Sequence, residues 1–185
     1  MSEVTKLALA NSLKKLLEVK TLDKIKVKDI VEDCKVNRQT FYYHFHDIYD
    51  LLGWFFIEEA EKIIGNKRTY TTWQQGFLEV FKYVNNDKRL IINAYNSIGR
   101  EHLENYLYSI VYELVKNIVE EKSVGINVSE EDKRFIADFY KYAFVGLSLE
   151  WIRTGMKDEP EIIIEKLGKL IKGDIEAGLK KLEKK

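Results

Sequence analysis

The sequence predicts an all-α protein, and three observations support that prediction. The chain of 185 residues contains a single proline, Pro160, whereas the turns of β-rich proteins usually carry several. Its apolar residues recur at intervals of three and four, which is the period of an amphipathic helix. No segment alternates apolar and polar residues for long enough to require a β-sheet. We therefore expect an N-terminal three-helix domain over residues 1–46 and a C-terminal helical domain over residues 47–185.

The N-terminal part predicts three helices, with a tight turn before the third. An apolar stripe at helical spacing marks the first helix over residues 4–19. Residues 25–45 then predict a helix, a three-residue turn and another helix. The earlier of these two has an apolar face that includes Cys34, which is therefore interpreted as a core residue. Asn37 is a candidate N-cap, because its side-chain oxygen can accept the free amide protons of the next helical turn.

The predicted third helix has two chemically different faces. Phe41 and Phe45 lie four residues apart and share the apolar face. The opposite face is dense in hydrogen-bond donors, which suit the base edges and phosphates of DNA. A short helix of this kind after a tight turn is typical of a DNA recognition helix. The candidate DNA contacts in this helix and the segment before it are Lys28, Asn37, Arg38, Gln39, Thr40, Tyr42, Tyr43 and His44.

The sequence of residues 40–45, Thr-Phe-Tyr-Tyr-His-Phe, resembles the recognition helix of TetR-family transcriptional regulators. The similarity covers about residues 5–52; beyond that it consists mainly of the all-helical pattern and the segment from Trp151 to Gly155. Residues 41–52 are also similar to regulators of dihydroxyacetone-kinase operons within that family. The resemblance implies a homodimer that binds a double-stranded DNA operator and is switched at its C-terminal domain. The effector so implied is an unknown small molecule or, as the alternative, a protein partner.

Two positions depart from the family pattern. Lys35 stands where the family often has glycine in the turn, and a residue other than glycine costs about 1 kcal/mol there if its backbone is left-handed. Ile48 stands where the family often has a lysine that contacts a phosphate. Lys28, Tyr42 and His44 would then have to supply more of the phosphate contacts.

The C-terminal part predicts further helices. The first covers about residues 47–65, with an aspartate as its expected N-cap. A capping box that begins at Ser129 and a stop signal at Gly155 delimit a long helix. A last helix is expected from Pro160 to about Leu179, because apolar residues continue at helical spacing. The other helices are expected over residues 71–85, 87–98 and 101–121.

Aromatic residues are frequent in the C-terminal part, and two interpretations remain open for them. They can line an apolar effector pocket whose phenol hydroxyls orient a ligand, as the resemblance implies, or they can form ordinary core and subunit contacts. For any single residue the core interpretation is favoured. The candidate pocket residues are Trp73, Phe77, Tyr95, Tyr112, Phe139 and Tyr140.

The last two predicted helices carry small residues and an apolar stripe that is too long for one neighbouring helix. Small residues allow two helices to approach closely, so these features predict a four-helix interface between two copies of the chain. Burial within a single chain is the alternative interpretation. The candidate interface residues are Ala143, Gly146, Leu147, Ile163, Leu167, Leu170 and Ile171.

The charge of the chain narrows the possible functions. Thirty basic and 30 acidic residues leave no net charge, which argues against a non-specific nucleic-acid coat protein. Residues 1–52 carry nine Lys and Arg against eight Asp and Glu. Specific DNA binding would therefore have to rely on neutral donors and on the added affinity of two half-sites in a dimer.

Several other functions and locations are not expected. A single cysteine cannot form an intramolecular disulfide, and the N-terminus lacks a signal-peptide pattern, so a reduced cytoplasmic protein is predicted. No apolar run approaches the ~20 residues of a membrane span. His44 and His46 alternate, but no cysteine or carboxylate cluster lies near them at ligand spacing, so no metal is expected. No catalytic constellation is visible, so neither an enzyme nor a cofactor is predicted.

Overall fold

The protein is all-α in the computed structural model, which describes residues 2–97 and 100–184 apart from the side chains of Ser2, Arg100 and His102. Every regular element in these ranges is helical, so the expected fold class is confirmed. None of the helices so described is both long and apolar enough to cross a membrane. The α-helices are α1 (Ser2–Leu17), α2 (Val27–Asp33), α3 (Arg38–His44), α4 (Ile48–Ile64), α5 (Trp73–Asn86), α6 (Lys88–Tyr95), α7 (Arg100–Ser123), α8 (Glu130–Arg153), α9 (Pro160–Ile171) and α10 (Asp174–Lys181), and a 3-10 turn covers Leu22–Lys24.

The chain divides into two compact units. Unit 1 contains Met1–Glu59 and Asp87–Tyr106, and unit 2 contains Ala60–Asn86 and Leu107–Lys185. These units do not follow the boundary expected after residue 46, because α4 and α7 contribute to both units and α6 lies wholly in unit 1. The division of function at that boundary stays a prediction.

Unit 1 contains the expected arrangement of α1, α2 and α3. The ammonium of Lys15 on α1 lies 2.7 Å from the carboxylate of Asp33 on α2. The half-buried Cys34 thiol donates a hydrogen bond to the Ala8 carbonyl at 3.3 Å, which adds a second link between the two helices. The core between the three helices consists of side chains that are at most 1% exposed, namely Leu9, Leu13, Ile30 and Phe41.

Helix α6 is attached to the segment that follows α1 by the side chain of Asn93. Its carboxamide oxygen accepts a hydrogen bond from the Leu22 amide at 3.0 Å, and its nitrogen donates to the Lys20 carbonyl at 2.9 Å. At the start of α6, the Asp87 carboxylate pairs with the Lys14 ammonium of α1 at 2.7 Å. Backbone groups near the end of a helix, such as the Lys20 carbonyl and the Leu22 amide after α1, need hydrogen-bond partners from outside that helix. These bonds explain why α6 belongs to unit 1, although it lies far along the chain from α1.

Aromatic rings form much of the core of unit 2. Phe77 on α5 stacks on Phe144 of α8 with the ring centroids 4.8 Å apart, and Trp73 meets Phe144 edge-on at 5.5 Å. Phe81 stacks on Trp151 of α8, again at 4.8 Å. Helix α9 packs on α5, and α10 packs on α8. The stacked rings therefore hold α5 and α8 together at two places along their length.

Both ends of α8 match the signals in the sequence. Ser129 accepts a hydrogen bond from the Asp132 amide at 3.2 Å, as expected of the capping box. Gly155 follows the end of the helix with a φ of +84°, and the Met156 amide donates to the Trp151 carbonyl at 2.8 Å. A left-handed residue with this longer bond is the Schellman ending that glycine favours. The predicted extent of this long helix is confirmed.

The single last helix expected from Pro160 to Leu179 is wrong. The structure has two helices, α9 and α10, with a break at Lys172 and Gly173. Gly173 has a φ of +86°, and its amide donates a hydrogen bond to the Tyr70 hydroxyl at 3.0 Å. The apolar stripe continues across this break, so helical spacing alone does not reveal it.

Candidate nucleic-acid interface

The turn between α2 and α3 contains a backbone conformation that is rare for lysine. Lys35 has a φ of +56°, in the left-handed region that favours glycine. Its amide donates to the Glu32 carbonyl at 3.2 Å, and the Val36 amide donates to the Val31 carbonyl at 3.0 Å. These two bonds form a Schellman motif, which ends α2 abruptly. The left-handed backbone considered for this position is confirmed.

The first turn of α3 is organised by Asn37. Its side-chain oxygen accepts hydrogen bonds from the Thr40 amide at 2.8 Å and from the Thr40 hydroxyl at 3.0 Å. The expected N-cap is therefore confirmed. Because the Thr40 hydroxyl donates its proton inside the protein, it can offer only its oxygen lone pairs to DNA. Within the candidate set, Asn37 and Thr40 thus hold the start of α3 in place.

The inner face of α3 anchors the helix in unit 1. Phe41 is completely buried, and Phe45 is 3% exposed. The Phe45 ring lies 6.1 Å from the Phe41 ring and 5.7 Å from the Trp54 ring of α4, measured between centroids. Any rotation of α3 about its axis would expose these rings to water. The two phenylalanines therefore determine which side chains face outward.

The outer face of α3 presents polar groups to solvent. Tyr43 is 83% exposed and Tyr42 is 58% exposed, and Arg38 and Gln39 are also exposed. The half-buried His44 ring meets the Tyr43 ring edge-on, with centroids 4.9 Å apart. These groups combine a guanidinium, a carboxamide, two phenols and an imidazole, which are donors and acceptors suited to base edges and phosphates.

Positive charge around α3 is sparse. The ammonium of Lys28 on α2 is exposed, but it lies 3.6 Å from the Glu32 carboxylate, which offsets part of its charge. Ile48, at the position where the family often has lysine, is half-buried. Lys35 is a further exposed cation beside α3, at a position outside the expected DNA contacts. Neutral donors must therefore supply a large share of any contacts to phosphate.

Two carboxylates cap the helix that follows α3. Asp47 accepts a hydrogen bond from the Asp50 amide at 2.8 Å, which confirms the N-cap expected for α4. Asp50 in turn accepts a hydrogen bond from the His46 amide at 2.9 Å. Among the described residues, no group of three or more His, Cys, Asp or Glu side chains is arranged to hold a metal ion.

Comparison with known proteins identifies the family. Residues 71–173, more than half of the chain, match the TetR-type family described as "Transcriptional regulator C-terminal region". The chain belongs to the TetR family of transcriptional regulators. Members of this family bind DNA and act as dimers. The predicted function, a DNA-binding transcriptional regulator of the TetR type, is therefore confirmed.

This TetR-family chain is similar to other transcriptional regulators. The HTH-type dhaKLM operon transcriptional activator DhaS of Lactococcus lactis subsp. lactis (strain IL1403) is 26% identical over 156 residues, which cover 83% of this chain and 82% of that protein. The structure of a dihydroxyacetone kinase operon activator, DhaS, has a TM-score of 0.65 at 24% identity and covers 98% of this chain and 99% of its own. The TetR family repressor AlkX from Dietzia sp. strain DQ12-45-1b has a TM-score of 0.59 at 15% identity, with 94% and 96% covered. These structural likenesses support the fold.

The six candidate pocket residues do not share one environment. Tyr95 is buried in unit 1, whereas the other five lie in unit 2. Trp73 and Phe77 are buried against Phe144, so their rings already have close partners. Phe139 is 62% exposed. Tyr112 and Tyr140 are half-buried. The effector role of these residues stays a prediction.

The candidate interface residues fall into three groups by exposure: buried, half-buried and exposed. Leu167 is 7% exposed and Ile171 is 6% exposed, so the single chain already buries both without a second copy. Leu170 is 69% exposed and Leu147 is 49% exposed. The exposed group also includes Ala143 and Gly146, and Ile163 is half-buried. A dimer interface through α8 and α9 stays a prediction, and only the exposed group is free to form it.

Proposed function

We propose that this regulator binds a two-fold symmetric operator as a homodimer, with α3 of each copy in the major groove. The observation that carries the proposal is the sorting of side chains on α3. Phe41 and Phe45 are buried, while Arg38, Gln39 and Tyr43 face solvent. Base edges are read by side chains on the exposed face of such a helix.

Gly146 on α8 supports dimerisation through the exposed face of α8 and α9. A β-carbon at this position would meet nothing within 4 Å, so nothing inside the chain explains the missing side chain. Glycine in a helix interior is about 1 kcal/mol less favourable than alanine. Close approach of a second helix gives the glycine a reason. Ala143 and Leu147, which are close to it in the same helix, are exposed, and Leu170 is exposed on α9. In the dimer, the two α3 helices must lie about 34–36 Å apart to enter successive major grooves.

An effector at the C-terminal domain would control DNA binding by changing that spacing. A ligand that binds one arrangement of the dimer more tightly shifts the population toward it and so alters operator occupancy. The effector is a small molecule in the main proposal. A protein partner is the second candidate, favoured by the exposure of Phe135 and Phe139 on α8 at 68% and 62%. The likeness to DhaS proteins suggests an operon for dihydroxyacetone kinase as the target.

Selection of bound DNA from a random pool tests the function directly. The full-length protein should recover a sequence with two inverted half-sites centred about one helical turn apart, or a multiple of it. Arg38→Ala should then weaken binding to that sequence by about 1–3 kcal/mol, the usual value of a bidentate base contact. Lys157→Ala is the control, because it removes an exposed charge from the segment between α8 and α9. Both variants are measured at the same salt concentration, since phosphate contacts depend on it.

The result can contradict the proposal in two ways. Recovery of unrelated sequences would remove specific recognition. Equal operator affinity for Arg38→Ala and Lys157→Ala would show that the outer face of α3 does not read the DNA. The two effector candidates are separated by titrating the protein–operator complex with small metabolites and with the kinase subunits of the target operon.

A further inference from the structure

Helices α7 and α8 enclose a groove in unit 2 that the function described so far does not use. Its narrower part has a volume of about 170 Å³ and is lined by polar side chains that include Lys116, Lys133 and Arg134. A wider, more open part of about 450 Å³ adjoins it and is lined by Tyr108 and Lys141, among others. Tyr112 and Arg134 line both parts, so the two form one continuous groove, which we call the α7–α8 groove.

Two lysines of the groove are neutralised within the chain. The Lys133 ammonium lies 2.8 Å from Glu130 and 3.1 Å from Glu120, and its side chain is only 16% exposed. The hydrogen bonds that Lys133 donates to Glu130 and Glu120 hold its pKa above the ordinary value. The Lys141 ammonium lies 2.6 Å from Asp138. Burial lowers the pKa of Lys141, but the bond and charge of Asp138 raise it more, so the net shift is upward. Both lysines therefore stay protonated and paired.

Two other cations of the groove lack such partners. Lys116 on α7 and Arg134 on α8 both line the narrow part and are exposed to solvent. Neither forms an ion pair with a carboxylate among the residues that the structure describes. The narrow part thus has three cationic and two anionic side chains in its wall, and its two unpaired cations come from different helices, Lys116 from α7 and Arg134 from α8. Tyr112 adds a phenol hydroxyl, which can donate a hydrogen bond to an anion.

We propose that the α7–α8 groove binds a small ligand through an oxyanion, a phosphate group or a carboxylate, held between Lys116 and Arg134. A guanidinium can donate two parallel hydrogen bonds to either group, and a lysine adds a point charge. The volume of about 170 Å³ corresponds to roughly five or six water molecules at ~30 Å³ each, which is enough for such a group. The remainder of the ligand lies over Tyr112 and Tyr108 in the wider part.

Binding in this groove would give the small-molecule effector of the proposed function a chemical class and a place. The inference rests on the proposed function only for the effect of that binding on regulation. The binding step itself requires neither DNA nor a dimer. It can therefore fail while operator recognition through α3 stands, and it can succeed while operator recognition fails.

Calorimetric titration of the full-length protein tests the groove. Inorganic phosphate is the probe in one arm and acetate in the other, both at constant ionic strength and with chloride as the reference anion. We expect saturable binding in at least one arm, and the arm that saturates tells which oxyanion the groove prefers. Arg134→Gln and Lys116→Gln should each weaken it at least tenfold. Lys157→Gln, which removes an exposed charge outside the groove, should bind like the parent protein.

A variant that is expected to bind the anion more tightly controls for the case in which the other variants lose binding because they misfold. Glu130→Gln removes one of the two carboxylates on Lys133, so the groove becomes more positive and the anion should bind several-fold more tightly. If neither phosphate nor acetate gives saturable binding, the proposal is overturned, because heat that does not saturate reflects only ionic screening. So would saturable binding that is the same in the parent, Arg134→Gln and Glu130→Gln proteins.

Discussion

Replacing Lys35 with glycine should stabilise the protein. The φ of +56° at Lys35 places a lysine in the left-handed region, which costs about 1–2 kcal/mol for a residue with a β-carbon. Glycine removes that cost, but its greater freedom in the unfolded chain returns about 0.5–1 kcal/mol of destabilisation. The mid-range values of about 1.5 and about 0.75 kcal/mol leave a net gain of about 0.75 kcal/mol in the free energy of unfolding. For a chain of this size that gain raises the melting temperature by about 1–4 °C.

Lys35→Ala is the matched control for this measurement. It removes the same charge and the same long side chain, but it keeps the β-carbon and hence the strain, so its stability should stay within about 0.5 kcal/mol of the parent. Urea denaturation followed by circular dichroism gives the free energy of unfolding for all three proteins. A Lys35→Gly protein that is no more stable than Lys35→Ala would refute the argument that the turn is strained.

Three further predictions follow from burial and exposure. Phe41→Ala should lower the free energy of unfolding by about 3–5 kcal/mol, because the ring is completely buried; an unchanged denaturation midpoint would contradict its place in the core. Leu170→Glu should convert a dimer to a monomer in sedimentation experiments without loss of helix content, whereas Val124→Glu, also at an exposed apolar side chain, should not; equal behaviour of the two would remove α9 from the interface. Cys34 should react with thiol reagents at pH 8 more slowly in the folded protein than in urea, because burial raises the pKa of the thiol and leaves less thiolate; equal rates would exclude this protection.

The sequence predicts most of the local structure of α3 because local chemistry determines it. The N-cap at Asn37 needs only its own side chain and the Thr40 amide three residues on. The two faces of α3 follow from the four-residue spacing of Phe41 and Phe45. The left-handed turn at Lys35 is visible as a departure from a family pattern, and the structure shows that the backbone keeps its shape despite the lysine.

The parts that the sequence does not predict depend on contacts between distant residues. The break between α9 and α10 coincides with a hydrogen bond from Gly173 to Tyr70, 103 positions earlier in the chain. Local spacing carries no information about that bond. The burial of Leu167 within one chain likewise depends on the packing of α9 on α5, which an apolar stripe cannot distinguish from a subunit interface.

The same limit applies to the candidate pocket in the C-terminal part. Aromatic composition identifies rings such as Trp73 and Phe77, but their partner Phe144 lies on another helix and packs against both of them. The α7–α8 groove leaves a weaker signal in the sequence. Lys116 and Arg134 can be recognised as unpaired cations only after the structure shows that their neighbours Lys133 and Lys141 are paired. Charge pairing across helices is a property of the fold and not of spacing along the chain.

The bonds of Asn93 have a consequence for engineering. Because α6 supplies partners to the Leu22 amide and the Lys20 carbonyl, the module that contains α3, the proposed DNA-reading helix, is discontinuous in sequence. A chimera made by joining residues 1–46 to the C-terminal part of another regulator would lose these partners unless the donor carries an asparagine at the equivalent place. Exchange of residues 60–86 and 107–185 around a retained 87–106 would keep the module whole. A chimera should therefore exchange these two segments together. A library of chimeras with a single crossover point would separate α6 from its partners and so lose functional combinations before selection begins.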